Sequence, residues 1–115
     1  MTVLVGADIH GASPVYEWLV GLTGAVDVLV LAGDLLTADD AEGQRVQVPS
    51  IVRILGQSKC PVLYIMGNDD NLALGIDDEL IRSAHGRRME FGEYNFVLAS
   101  LSWEKVRQRR RGDWG

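Results

Sequence analysis

This chain lacks what several classes of protein would need. It has a single cysteine, Cys60, so no internal disulfide can brace it, and a secreted disulfide scaffold is excluded. With no second thiol in the chain, Cys60 is expected to be a small buried hydrophobe. No apolar run approaches the roughly 18–20 residues that cross a bilayer, and no basic start leads into a long hydrophobic stretch. A membrane partner is therefore not expected, and the cytoplasm is the expected compartment. Positive charge is scarce too: residues 1–103 hold six Lys/Arg against fourteen Asp/Glu. Such an acidic body disfavours nucleic acid as a general partner. The balance reverses in residues 104–115, with five Lys/Arg against two Asp/Glu. No core pattern continues there, so a solvated basic tail is expected, with contact to RNA, DNA or an acidic partner as the other reading. No internal repeat is present, and 115 residues leave room for one domain, taken here as residues 1–103.

What is present is organised by three short apolar runs, each closing in an acid. Val3-Leu4-Val5 leads to Asp8-Ile9-His10, Val28-Leu29-Val30-Leu31 to Gly33-Asp34, and Val62-Leu63-Tyr64-Ile65-Met66 to Gly67-Asn68-Asp69-Asp70. Continuous aliphatic runs of this length, ended by Gly and Asp, predict strands buried on both faces. Enough chain lies between them for crossover helices, so they predict an α/β fold with neighbouring strands in a parallel sheet. Parallel strands point one way, and the three acidic ends then share the edge at which open α/β sheets bind ligands. Asp8, His10, Asp34, Asn68, Asp69 and Asp70 are thereby drawn together. None of the three segments contains Lys or Arg, so a metal ion is the expected counter-charge.

The intervening chain predicts a first helix from Pro14 to about Leu22, capped by Ser13 and closed by Gly24, with Val15, Trp18, Leu19 and Leu22 as its core stripe. A long acidic connection, Leu35 to Gln47, follows the second strand, with Asp39-Asp40 as a solvated turn or helix start. A second helix is expected over Val48 to Leu55, with Pro49 in its first turn, Ile51, Ile54 and Leu55 inward, and Gly56 at its end. Ile76 to Ser83 reads as a short helix whose Asp77, Asp78 and Glu79 complement the helix dipole. Arg88 to Phe91 and Tyr94 to Ala99, split by Gly92-Glu93, predict a hairpin, preceded by an exposed His85.

Extended backbone would put Asp8 and His10 on the same side of the chain, where carboxylate and imidazole can hold a divalent cation of the Mn, Fe or Zn type. Asp34 follows Gly33, which permits a tight turn and close approach of metal or phosphate, and its two oxygens could bridge two ions. Asn68 offers a neutral carbonyl oxygen. Two ions so held can orient a bridging water and clamp a phosphoryl group.

This order of motifs resembles that of the calcineurin-like metallophosphoesterases: D-x-H, then G-D, then G-N-H-[DE], then a separate His and a G-H-x-H. The resemblance covers about residues 2–100 and rests on Asp8-Ile9-His10, Gly33-Asp34 and Gly67-Asn68-Asp69-Asp70. It implies two metals, with Asp8 and His10 on the first, Asp34 bridging and Asn68 on the second. It also implies a partial version of a four-layer fold, two sheets flanked by helices. Asp69 stands where many members place the His that assists the leaving group, and Asp70 at the family's acidic position, from which it would orient His10. These two are the candidate catalytic residues, although an ionised Asp69 could not donate a proton. The distal His and G-H-x-H are missing, which suits the N-terminal half of such an enzyme, a truncated or frame-shifted reading.

The leading expectation is a metal-dependent phosphoesterase acting on a phosphomonoester or phosphodiester. The alternative is a non-catalytic, degenerate metal-binding or interaction module, completed by another chain. An unfinished sheet would leave an apolar face or open edge that favours association of copies. An aspartyl-phosphate phosphatase would need an acid where His10 stands. A dinucleotide-binding fold would need a G-x-G-x-x-G that does not follow the first strand.

Overall fold

The computed structural model describes residues 1–37, 41–67, 70, 74–84 and 87–98. Asp39 and Asp40, His85, Ala99 and the 104–115 tail lie outside the described residues. Four strands, β1 (Val3–Gly6), β2 (Val28–Ala32), β3 (Val62–Ile65) and β4 (Ile81–Ser83), form one parallel sheet in that order. Helix α1 (Ser13–Gly21) lies between β1 and β2, and α2 (Ala41–Leu55) between β2 and β3. Strands β5 (Arg88–Phe91) and β6 (Tyr94–Val97) pair as an antiparallel hairpin. The protein is thus a small α/β fold, and no helix among the described residues is long and apolar enough to cross a membrane.

The register divides the sheet into two faces. Leu4, Leu29 and Val62 line one row, Leu31 and Tyr64 the next, and these pack under Tyr16, Leu19, Ile51 and Leu55 of the helices. Val28, Val30, Leu63 and Ile65 point the other way and meet Ala84, Met89 and Leu98. The hairpin therefore starts a second layer. The Arg82 guanidinium, 5.4 Å from the Phe91 ring centre, joins β4 to it, and Phe91 and Phe96 meet edge to face.

The three strands, their parallel order and the hairpin match the sequence expectation, and Cys60 is buried as expected. Burial pushes its thiol pKa up, which keeps it protonated. Four expectations are corrected. First, β1 is not buried on both faces: the register puts Val3 and Val5 on the hairpin's side, yet the hairpin leaves them exposed, Val5 at 59%. Second, the inward stripe of α1 is Tyr16, Leu19 and Val20, while Trp18 is 63% exposed. Ser13 is already inside this helix, which Ala12 precedes without a side-chain cap, and Leu22 rather than Gly24 follows its end. Third, the expected connection over 35–47 is helical from Ala41, so Pro49 sits mid-helix. Pro49 and Arg45 are both exposed, so the Arg45 carbonyl that Pro49 leaves without a donor can be met by water.

Fourth, the short helix over 76–83 is replaced by a turn and β4. Asp78 Oδ1 accepts the Leu80 and Ile81 N–H groups at 2.9 and 2.8 Å, and Asp77 Oδ1 accepts the Ser83 N–H at 3.1 Å. Acids read as complements of a helix dipole instead offer the backbone an alternative to the helix. Ile81 then pairs beside Val62 and is buried.

Candidate metal centre

The pairing of β1 with β2 continues past the strand ends and builds the site. The Asp8 N–H donates to the Gly33 carbonyl at 3.3 Å, His10 N–H to the Asp34 carbonyl at 3.0 Å, and Gly11 N–H to the Leu35 carbonyl at 2.9 Å. Ile9, between Asp8 and His10, is buried in the helix-side core, whereas its two neighbours are exposed. Asp8, His10 and Asp34 each offer one ligand atom, and these atoms lie within 4.8 Å of one another. Bonds of about 2.0–2.2 Å to one ion would place two donors at most about 4.4 Å apart. Small side-chain rotations therefore suffice, and the group is close enough to bind a metal.

The reason Asp8 and His10 converge differs from the expected one. Their backbone is not extended: φ is +53° at Asp8, +50° at His10 and +51° at Asp34. These are the non-glycine residues with positive φ among the described residues, and they coincide with the candidate ligands. Asp and His tolerate this conformation better than most residues, but it still disfavours them. Their surroundings must hold it. Nor does burial demand a cation here, since Asp8 and His10 are exposed and Asp34 is half-buried, so water can solvate the charges.

Gly33 and Gly67 allow the loops after β2 and β3 to touch. Gly33 has φ +92°, and a Cβ on it would lie 3.2 Å from Gly67 Cα. The close approach that glycine permits here is of another backbone. A Cβ on Gly67 would strike the backbone nitrogen of Asp34 and come 2.5 Å from its Oδ1. Gly11 is packed as closely, since its Cβ would overlap the Gln47 amide.

Four residues that sequence reasoning did not assign, or assigned differently, secure these loops. Asp70, expected to orient His10, accepts backbone N–H groups instead: Leu36 at 2.9 Å on Oδ1, and Leu35 at 3.1 Å and Gly67 at 2.7 Å on Oδ2. Tyr16, fully buried, donates its phenol to the Leu35 carbonyl at 2.6 Å. Burial and the nearby Asp70 charge push the phenol's pKa well up, so it remains a donor. From α2, Gln44 donates to the Thr37 carbonyl at 2.7 Å and Gln47 Oε1 accepts the Thr37 N–H at 2.8 Å. A polar helical stretch three residues apart, Gln44 and Gln47, was the available signal for this clamp. Asn68 and Asp69, the expected fourth ligand and candidate catalytic group, lie outside the described residues. In comparisons with known proteins, no family model and no curated protein matches this chain.

Proposed function

We propose that this chain is a cytoplasmic metal-dependent phosphoesterase of the calcineurin-like kind, in which Asp8, His10 and Asp34 hold a divalent cation of the Mn, Fe or Zn type. The observation that carries the reading is the coincidence of left-handed backbone with the ligand triad. Sparsely populated backbone conformations cost on the order of 1–3 kcal/mol each and gather where function needs a fixed geometry. Here they fall on two carboxylates and an imidazole whose ligand atoms converge within 4.8 Å. The mixed O and N donor set suits a transition metal better than Ca²⁺ or Mg²⁺, which prefer oxygen alone.

When bound, a cation there supplies a Lewis acid for a phosphoryl oxygen and lowers the pKa of a coordinated water. The chain supplies the rest. Exposure of Asp8 and His10 leaves the site open to a phosphoester from solvent. Their carboxylate and imidazole hold one side of the ion, and Asp34 approaches from the neighbouring strand. By the resemblance, Asn68 would complete the ligand set and Asp69 would stand at the position of the residue that assists the leaving group.

Hydrolysis of p-nitrophenyl phosphate and bis(p-nitrophenyl) phosphate in Mn²⁺ tests it. Turnover should depend on the metal, and Asp34→Asn should lower it by at least about 100-fold, more than the loss of an outer partner would cause. Equal turnover by the variant, or in the presence of a chelator, would contradict the reading. Metal uptake without hydrolysis would favour the non-catalytic metal-binding module instead.

A further inference from the structure

We propose that Tyr16 and Asp70 are positioning residues of the metal site, acting through the Leu35 peptide. The inference rests on the reading that Asp8, His10 and Asp34 hold a cation. Leu35 directly follows Asp34, and Gly11 directly follows His10. The bond from Gly11 N–H to the Leu35 carbonyl, at 2.9 Å, is thus the rung that ties the two ligand loops beside their ligands. Tyr16 reaches the same carbonyl oxygen from α1, and Asp70 takes the Leu35 N–H from beyond β3. Leu35 is therefore fastened through both its N–H and its C=O, and its side chain is fully buried.

The consequence reaches the ligands through the backbone. The His10 N–H donates to the Asp34 carbonyl, so the peptide that joins Asp34 to Leu35 carries one ligand loop on its carbonyl and Asp70 on its N–H. A shift of this peptide moves His10 and Asp34 together. Left-handed backbone at Asp8, His10 and Asp34 persists only where neighbouring groups over-determine it. Three elements converge on Leu35 and provide that restraint: α1 through Tyr16, the β1 loop through Gly11, and the β3 loop through Asp70. Asp70 extends the hold by also accepting from Leu36 and Gly67.

A purely structural role makes a different prediction. If the Tyr16 hydroxyl only satisfies a buried polar group, removing it lowers stability and leaves metal binding alone. Tyr64 supplies the reference, because its phenol also donates to a backbone carbonyl, that of Ile76, which takes no part in the bonds to Leu35. Tyr16→Phe leaves the Leu35 carbonyl its Gly11 partner, so the fold should survive.

The experiment titrates Co²⁺ into the full chain and its Tyr16→Phe, Asp70→Asn and Tyr64→Phe variants, reading visible absorption, with circular dichroism to follow the fold. The wild type should give a saturable ligand-field spectrum. Tyr16→Phe and Asp70→Asn should raise the Co²⁺ dissociation constant about 10–100-fold and change the band shape, whereas Tyr64→Phe should stay within about twofold. Should Asp70→Asn fail to fold, Tyr16→Phe alone decides. Wild-type affinity and band shape in Tyr16→Phe would overturn the proposal, as would an equal loss in Tyr64→Phe. A wild type that binds no Co²⁺ overturns the metal reading itself, and this inference with it.

Discussion

Gly67 sets how closely the loop after β3 can approach Asp34. A methyl group there would meet the Asp34 backbone nitrogen and lie 2.9 Å from the Gly33 carbonyl carbon, and backbone atoms cannot swing aside as a side-chain end can. Gly67→Ala should therefore destabilise the chain by about 1–3 kcal/mol, the usual range for overpacking, and weaken metal binding at the same time. Urea unfolding and a metal titration on the one variant check both, and unchanged stability would show that the loops are not in contact. The candidate ligands themselves were legible in the sequence, because chemistry-bearing residue types stand at the ends of apolar runs. The groups that hold them were not. Tyr16 and Asp70 act on peptide groups of Leu35, Leu36 and Gly67, and no side-chain pattern announces a backbone partner. Gly33 was expected to admit a metal or phosphate, and the group found close to it is the Gly67 backbone.

At the scale of elements, β1 differs from its neighbours. It is an edge strand, and neither a charged side chain nor a proline interrupts Val3-Leu4-Val5. Natural edges are usually guarded by such features against pairing with other chains. Val5→Lys places a charge on an exposed edge position and should reduce concentration-dependent association, with stability changed by no more than about 0.5 kcal/mol. Sedimentation velocity over a concentration series checks this, and unchanged association would show that the β1 edge plays no part. The central strands were legible because burial on both faces leaves an unbroken aliphatic run. The helices were less so. Around α1, the expected stripe of Val15, Trp18, Leu19 and Leu22 shares Leu19 with the observed one of Tyr16, Leu19 and Val20, and periodicity alone cannot choose between them. The first half of α2 carries Gly43, Gln44 and Gln47, a polar stretch before Pro49 that reads as loop, yet Gln44 is fully buried because its amide clamps Thr37. Local acids likewise masked β4, since Asp77 and Asp78 bond to backbone N–H groups where a helix start was expected.

Across the whole molecule, parallel order turns distance in sequence into proximity. Residues 8–10, 34 and 70 come from three segments, and the order β1-β2-β3 lays their loops side by side at one edge of the sheet. The hairpin covers the second face of the sheet over β2 and β3 while Val3 and Val5 stay open, so the molecule is better finished on its helix side than on the other. That architecture was readable from three apolar runs and their spacing, because sheet topology follows from chain length between strands. The geometry of the site depends on left-handed backbone at three residues, which spacing does not reveal. The most direct test of the account is anomalous diffraction from crystals grown with Zn²⁺. The account predicts a peak about 2.0–2.2 Å from a carboxylate oxygen of Asp8, a ring nitrogen of His10 and a carboxylate oxygen of Asp34. No peak at that point, with the three side chains directed apart, would contradict it.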